Sequence, residues 1–425
     1  MKKTTAKLWM AWLMVLVLAV SSLAGCGQNG ESSETADIST MAGTAESASA
    51  ETAESVPADT SETELTSAAE TAGNQATAAW AGSMVFDHAL ELEYAENFQA
   101  DYYQDGYVLF TAGAEQQPYL VVPEGQSVPE GIPEEVTVLQ LPLDRILLSS
   151  TGMCSLFSAI GALDHVKLVT TEADDWYIND VKNRMEDGSI QYTGEYDEPD
   201  FEQVTAENIQ LVIETTMING SPDVLEKYEE LGIPTLVETS SQENHPLGRV
   251  EWVKLWGILC GMEEEAEAYF AEQKTMVESL AEEEKSDVSV AMFYASSSRG
   301  TCYVRNGGDY MAKMIGLAGG NYLQEDLNPD ESGTAKMSFE ELYASIQDVD
   351  YIFYINLSDK YYSLADMTAG NELFGSCKAV QNGHVWYTSQ DFIQSTAAIG
   401  SIIQDMHTIF TSDGTATTDH LIRME

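Results

Sequence analysis

Arg299 and Arg305 stand six residues apart in a chain with few positive charges, with Tyr303 between them and the Ser296–Ser298 run just ahead. Planar, permanently charged guanidinium groups suit carboxylates and anionic chelates. Trp176, Tyr192, Tyr196 and Trp386 fall at other strand ends and loops, where their rings could receive a flat macrocycle or a catechol. Met153 and Met217 occupy comparable positions. Taken singly, each aromatic also reads as ordinary core. Residues this scattered can act together only if the fold brings several loops to one place.

Little else in the sequence offers chemistry. There is no G-x-S-x-G elbow and no HExxH, and the serine run has no histidine partner that the sequence suggests. His88, His165, His245, His384, His407 and His420 do not cluster, and His245 reads as a helix-start residue ahead of Pro246. Cys154, Cys260, Cys302 and Cys377 are widely spaced without a CxxC pair, which points to free buried thiols. The expectation is a protein that performs no catalysis and holds no resident cofactor or protein-ligated metal. Seventy acidic against 19 basic residues give a formal net charge of -51, and no Lys or Arg lies between Lys7 and Arg145. Such a surface argues against nucleic acid and anionic lipid as partners.

The elements that would position these residues divide the chain into six stretches. Residues 1–25 carry Lys2, Lys3 and Lys7, an apolar run from Leu8 to Val20, and the small-residue site Leu23-Ala24-Gly25, which is the pattern of a signal peptide. Residues 26–80 begin with Cys26 and continue in Ser, Thr, Ala and Glu, too poor in large apolar groups to fold, so they read as a disordered tether. Residues 84–143 alternate apolar and polar positions between Gly and Pro turns, as a small β-rich extension would. Residues 144–245 and 286–425 alternate strand and helix patterns and read as two α/β lobes with mostly parallel sheets. Between them, 246–285 reads as one long helix, or two nearly coaxial ones, of roughly 55 Å at 1.5 Å per residue.

A degraded repeat supports the two-lobe reading. PDFEQVTAENIQLVIE (199–214) and MSFEELYASIQDVDYIFYI (337–355) each carry a Phe-Glu pair, Phe201-Glu202 and Phe339-Glu340, then a short polar helix and a strand-like run. Two similar lobes leave a cleft between them, and such clefts hold small ligands. In α/β lobes the ligand meets the loops at the carboxyl ends of the strands.

An ordered set of segments resembles the substrate-binding proteins of bacterial importers for iron-siderophore, haem and cobalamin complexes. It comprises Arg145-Ile146-Leu147, GALDHVKLVT (161–170), YTGEYDEPDFEQV (192–204), QLVIE (210–214), LGIPTLV (231–237), LAGGNYL (317–323) and AVQNGHVWYT (379–388). The resemblance implies two Rossmann-like lobes joined by one long backbone helix, a ligand cleft between them and little hinge motion. It implies capture of an iron-siderophore or related metal chelate, a corrinoid included, for a membrane permease and its ATPase. In that family one glutamate per lobe docks onto permease arginines, and the matching residues are Glu202 and Glu340; both also suit the start of a helix by charge. Haem-binding relatives often place a methionine and a histidine on facing lobes; Met153 lies near the first position, but no histidine follows Tyr354.

Leu-Ala-Gly-Cys (23–26) looks like a lipobox, which implies fatty acylation of Cys26, a palmitate-type anchor and a monomer held on the extracellular face of a cell membrane, in a Gram-positive-like setting. The competing readings are a hydrolase, for which no motif speaks, and a surface adhesin that binds a protein or glycan through its β-rich extension.

Overall fold

The computed structural model describes residues 84–281, 286–296, 299–357, 363–370, 372–412 and 414–425. The signal segment, the tether, Cys26, and Ser297 and Ser298 lie outside the described residues.

The extension is a five-stranded sheet of β1 (Phe86–Ala89), β2 (Phe98–Tyr103), β3 (Val108–Ala112), β4 (Gln117–Val122) and β5 (Thr137–Gln140). The first four strands form an antiparallel meander and β5 runs parallel to β4. Phe98, Ala100, Phe110 and Tyr119 turn one face into the main core, while the alternate residues Tyr103, Leu109, Leu120 and Val122 form a small cluster on the other face, as period-two patterning requires.

Lobe one follows in chain order as β6 (Ile146–Leu148), α1 (Thr151–Ala159), β7 (Val166–Val169), α2 (Asn179–Asp187), β8 (Gln191–Tyr192), α3 (Phe201–Ala206), β9 (Leu211–Thr215), α4 (Pro222–Glu230) and β10 (Thr235–Glu238). Its sheet has the order β10-β9-β6-β7-β8 and every pair is parallel. Such strands are buried on both faces, which explains their unbroken apolar runs. Leu147, Leu168 and Val212 pack beneath Val204 and Tyr228, while Ile146, Leu148 and Ile213 face the opposite way.

The joint between the lobes is not one straight helix. It consists of α5 (Pro246–Glu251), α6 (Val253–Cys260) and α7 (Glu263–Ala281). The chain breaks at Trp252, and again at Gly261, which adopts the left-handed conformation with φ 66°. Helices α6 and α7 then pack together, with Met262 N–H donating to the Gly257 carbonyl at 2.8 Å. A Cβ on Gly257 would stand 2.7 Å from the Ala266 Cβ, so glycine is what lets the two helices come this close. Only α7, with 19 residues, is a long helix; at 1.5 Å per residue it spans roughly 28 Å. The expected 55 Å rod fails because a Gly261 turn leaves the apolar pattern on both sides intact.

Lobe two runs β11 (Ser289–Ser296), β12 (Thr301–Arg305), α8 (Tyr310–Leu317), β13 (Asn321–Tyr322), β14 (Thr334–Ser338), α9 (Phe339–Ile346), β15 (Tyr351–Tyr354), α10 (Leu364–Gly370), α11 (Lys378–Asn382), β16 (Val385–Thr388), α12 (Ile399–Thr411) and β17 (Leu421–Arg423). Its sheet, β14-β12-β11-β15-β16-β17 with β13 beside β11, is mixed. The central β11, β15 and β16 are parallel; β12 pairs antiparallel with β11 and with β14, and β17 pairs antiparallel with β16.

The repeat takes the same form twice. In each copy a capped helix, α3 or α9, leads to a buried strand parallel to its neighbours, β9 or β15. Asp200 caps α3, and Ser338 with Glu341 forms a capping box on α9. One continuous apolar core runs from Phe98 and Ile146 through Trp252 and Trp256 to Met292, Phe353 and Ile403. The two lobes therefore share a core, and the joint is packed. Among the described residues, no helix is long and apolar enough to cross a membrane.

Candidate functional site

The antiparallel pairing of β11 with β12 sets Tyr294 opposite Tyr303. Their rings stack with centroids 4.6 Å apart and planes 5° from parallel. Cys302 and Val304 point into the core, so the alternate residues Tyr303 and Arg305 share the half-exposed face. Arg299, past the end of β11, donates from Nη1 to the Tyr303 hydroxyl at 3.4 Å. Pairing of β12 with β14 brings Lys336 opposite Tyr303 and Thr334 opposite Arg305. Arg305 lies 3.6 Å from the Asp309 carboxylate, and the Arg249 guanidinium sits 3.8 Å above the ring of Tyr310. Burial pushes the Tyr294 phenol above its ordinary value, and Arg305 and Arg299 pull it partly back. The result is a band of tyrosines flanked by guanidinium groups. It can stack a planar group and pair with its negative charge.

Arg299, Tyr303 and Arg305, singled out in the sequence, are thus brought together. Tyr294, Tyr310, Arg249 and Lys336 were not. The hairpin around the Ser296–Gly300 loop was the available signal for Tyr294, since pairing across it puts Tyr294 beside Tyr303.

Three expected site residues belong to the core. Trp176 is 1 % exposed and its indole N–H donates to the Thr171 carbonyl. Trp386 is 0 % and Met153 2 % exposed. These three offer no face to a ligand in this conformation, because a wide apolar side chain gains more from full burial than from a loop position. Tyr192 and Tyr196 are half-buried on the rim of lobe one, and Met217 is half-buried in the turn after β9. That rim is acidic: Glu195, Glu172 and Asp175 all raise the Tyr192 phenol, after burial itself.

At the seam the lobes are locked by polar contacts. Gln394, from lobe two, accepts from the Tyr177 N–H at 2.9 Å and donates to the Asp175 carbonyl at 2.7 Å. Ser155 Oγ accepts from the Ala397 N–H at 3.0 Å. Beside them, Tyr310, Met314, Phe392, Thr396 and Ile402 leave a void of about 10 Å³, the size of one water. A larger depression of about 410 Å³, among Ser158, Asp180, Arg184 and Asp187, lies at the far end of α1 from its Ser150 cap. The loops after β11 and β15 pass through 297–298 and 358–362, outside the described residues.

Glu202 and Glu340 are both exposed in the first turn of their helices. Phe201 packs edge-on against Tyr228, and Phe339 packs against Phe374. Each Phe anchors its helix start, which leaves the neighbouring glutamate in solvent.

Two α/β lobes on a helical joint, one with a parallel and one with a mixed sheet, define the fold. The chain belongs to the periplasmic binding protein family, whose profile matches residues 156–392. It is similar to an uncharacterized lipoprotein of Methanocaldococcus jannaschii, 27 % identical over 342 residues that cover 75 % of this chain and 81 % of that one. Among solved structures it is similar to a periplasmic heme-binding protein from Pseudomonas aeruginosa, with TM-score 0.52, 16 % identity and coverage of 66 % of this chain and 98 % of that one. A second is the periplasmic heme-binding protein HutB of Vibrio cholerae, with TM-score 0.52, 15 % identity and coverage of 64 % and 99 %. At these identities the structural likeness establishes the fold. The extension precedes the residues that the family profile matches.

Proposed function

We propose that this protein is the substrate-binding lipoprotein of an ABC importer. In this reading it captures an iron-siderophore or related metal chelate, a corrinoid included, and delivers it to a permease. The supporting observation is the stacked Tyr294–Tyr303 pair between Arg299 and Arg305, in a chain of net charge -51. Guanidinium groups placed against that background serve a negatively charged partner, because scattered surface lysines would suffice for solubility. In the same reading Tyr192, Tyr196 and Met217 are the contacts from lobe one. Acylation at Cys26 holds the protein on the outer face of the membrane, in keeping with the relative named as a lipoprotein.

The test is a binding panel on the purified soluble part: ferric catecholate and hydroxamate siderophores, haem and cobinamide, followed by calorimetry. One of these binds saturably, and Arg299→Ala and Arg305→Ala each weaken it at least tenfold, since a hydrogen bond to a charged group contributes about 1.5–3 kcal/mol. No saturable binding across the panel, or full affinity in both variants, overturns the assignment.

Docking on the permease falls to Glu202 and Glu340, one exposed carboxylate per lobe. Changing both to Lys lowers uptake by cells at least tenfold, with chelate affinity of the purified protein unchanged. A loss of affinity in that double variant would instead put the two residues at the ligand.

A further inference from the structure

We infer that the β-rich extension is an internal strut that fixes the joint, and so the spacing of the lobes, through two buried glutamates, Glu243 and Glu251. Glu251 is 0 % exposed and ends α5 at the bend before α6. Its carboxylate accepts from the backbone N–H of Glu93 at 3.0 Å, Tyr94 at 2.8 Å and Ala95 at 2.8 Å. Glu243, 3 % exposed, accepts from the Glu96 N–H at 2.9 Å, the Asn97 N–H at 3.0 Å and the Trp252 indole at 2.8 Å. Five successive amides of the segment between β1 and β2 thus enclose two carboxylates at the bend.

A buried carboxylate is unfavourable unless its lone pairs are filled. Lys254 lies 3.2 Å from Glu251 and donates to the Glu91 carbonyl at 3.1 Å. The remaining acceptor capacity of both acids is met almost wholly by residues 93–97. The bend therefore depends on the extension for its hydrogen bonds.

Packing follows the same line. Tyr94 stacks on His245 at 4.4 Å, and Phe98 packs on Trp252 at 5.0 Å. A Cβ on Gly248 would stand 2.8 Å from the Tyr94 carbonyl oxygen, so glycine admits the segment against α5. On its other side the extension reaches β10, where the Tyr119 hydroxyl donates to the Thr235 carbonyl at 2.9 Å. The held helix, α5, carries the Arg249 that covers Tyr310 of lobe two. A shift of α5 therefore moves one lobe against the other.

The test uses the full mature chain and amide hydrogen exchange. Glu251→Gln and Glu243→Gln keep the side-chain shape but turn an NH₂ group toward amides that need acceptors. Exchange rises at least tenfold at residues 93–97 and, with it, at 256–260 and 310–312 across the joint. Tyr94→Ala, which leaves both carboxylates in place, produces the same pattern at smaller amplitude and covers the case in which a glutamine variant does not fold. Faster exchange confined to residues 93–97, with 256–260 and 310–312 as protected as before, overturns the proposal.

Discussion

Replacing Glu214 by Leu removes a pH dependence from the stability of the protein. Measured as a difference from the parent chain, the variant gains on the order of 3–5 kcal/mol of relative stability between pH 4.5 and pH 8. Glu214 sits near the end of β9, in register with Val237 of β10, with its side chain 0 % exposed. Neither of its carboxylate oxygens, nor Ser149 Oγ, nor the Tyr228 hydroxyl completes a hydrogen bond among the described residues. Burial pushes the carboxyl up from 4.5 to about 8, against a partial pull back by the nearby Ser149 and Tyr228 hydroxyls.

An acid with a folded value above its unfolded one holds its proton more tightly in the fold. Its destabilising effect is absent below about pH 4.5 and complete above about pH 8. Leu at this position has no proton to lose, and its volume is close to that of the glutamate beside Tyr228. Other buried acids, Glu238 among them, also titrate upward, but they are common to both chains and cancel in the difference. Chemical denaturation at pH 5, 7 and 9 reads the effect. A variant-minus-parent difference that stays flat across those three points would mean that the carboxylate finds partners when it ionises.

Most of lobe one was legible because an all-parallel sheet writes itself as short apolar runs separated by helices. Ile146–Leu148, Val166–Val169 and Leu211–Thr215 have no competing interpretation once Gly and Pro mark their ends. The Phe-Glu repeat was legible for a related reason, since a capped helix and the strand behind it are both local. Lobe two was harder. Nothing in TCYVR (301–305) or TAKMS (334–338) announces that these strands run antiparallel to their neighbours, because direction depends on which partner they find. The joint failed at Gly261, where one left-handed residue turns two helices back on each other without disturbing either apolar stripe.

The candidate site divided along the same line. Arg299, Tyr303 and Arg305 were close in sequence and remain close in space. Trp176 and Trp386 were large and near strand ends, but sequence alone does not say which face of the strand or loop they take, and both went inward. Tyr310 and Arg249 stand on different helices far apart in the chain, so no local pattern could have paired them.

The second large effect falls on the turn that carries Arg305. Gly307→Ala destabilises the protein by roughly 3–5 kcal/mol, and the chelate binding proposed for the tyrosine-arginine face is lost with it. A Cβ built on Gly307 would lie 1.8 Å from the Glu325 carbonyl oxygen and 2.6 Å from its carbon, both backbone atoms that no rotamer change can clear. Gly307 N–H donates to the Leu327 carbonyl at 2.7 Å. On either side the same loop is tied by Asn306, whose Nδ2 donates to the Ser332 carbonyl at 2.8 Å, and by Asp309, which accepts from the Gly333 N–H at 2.8 Å.

Displacing residues 325–333 far enough to admit one methyl group breaks several of these bonds at once. Each leaves a buried polar group unpaired, at about 1–3 kcal/mol apiece. Asp309 also stands beside Arg305, so the displacement reaches the guanidinium proposed above as a ligand contact. Gly316→Ala is the matched control: that glycine lies within α8 with nothing inside 4 Å of its added Cβ, and alanine there is neutral or stabilising by up to about 1 kcal/mol. Thermal unfolding of the two variants side by side decides the matter, because equal stability would mean that the 325–333 loop yields at no cost and does not hold Arg305 in place.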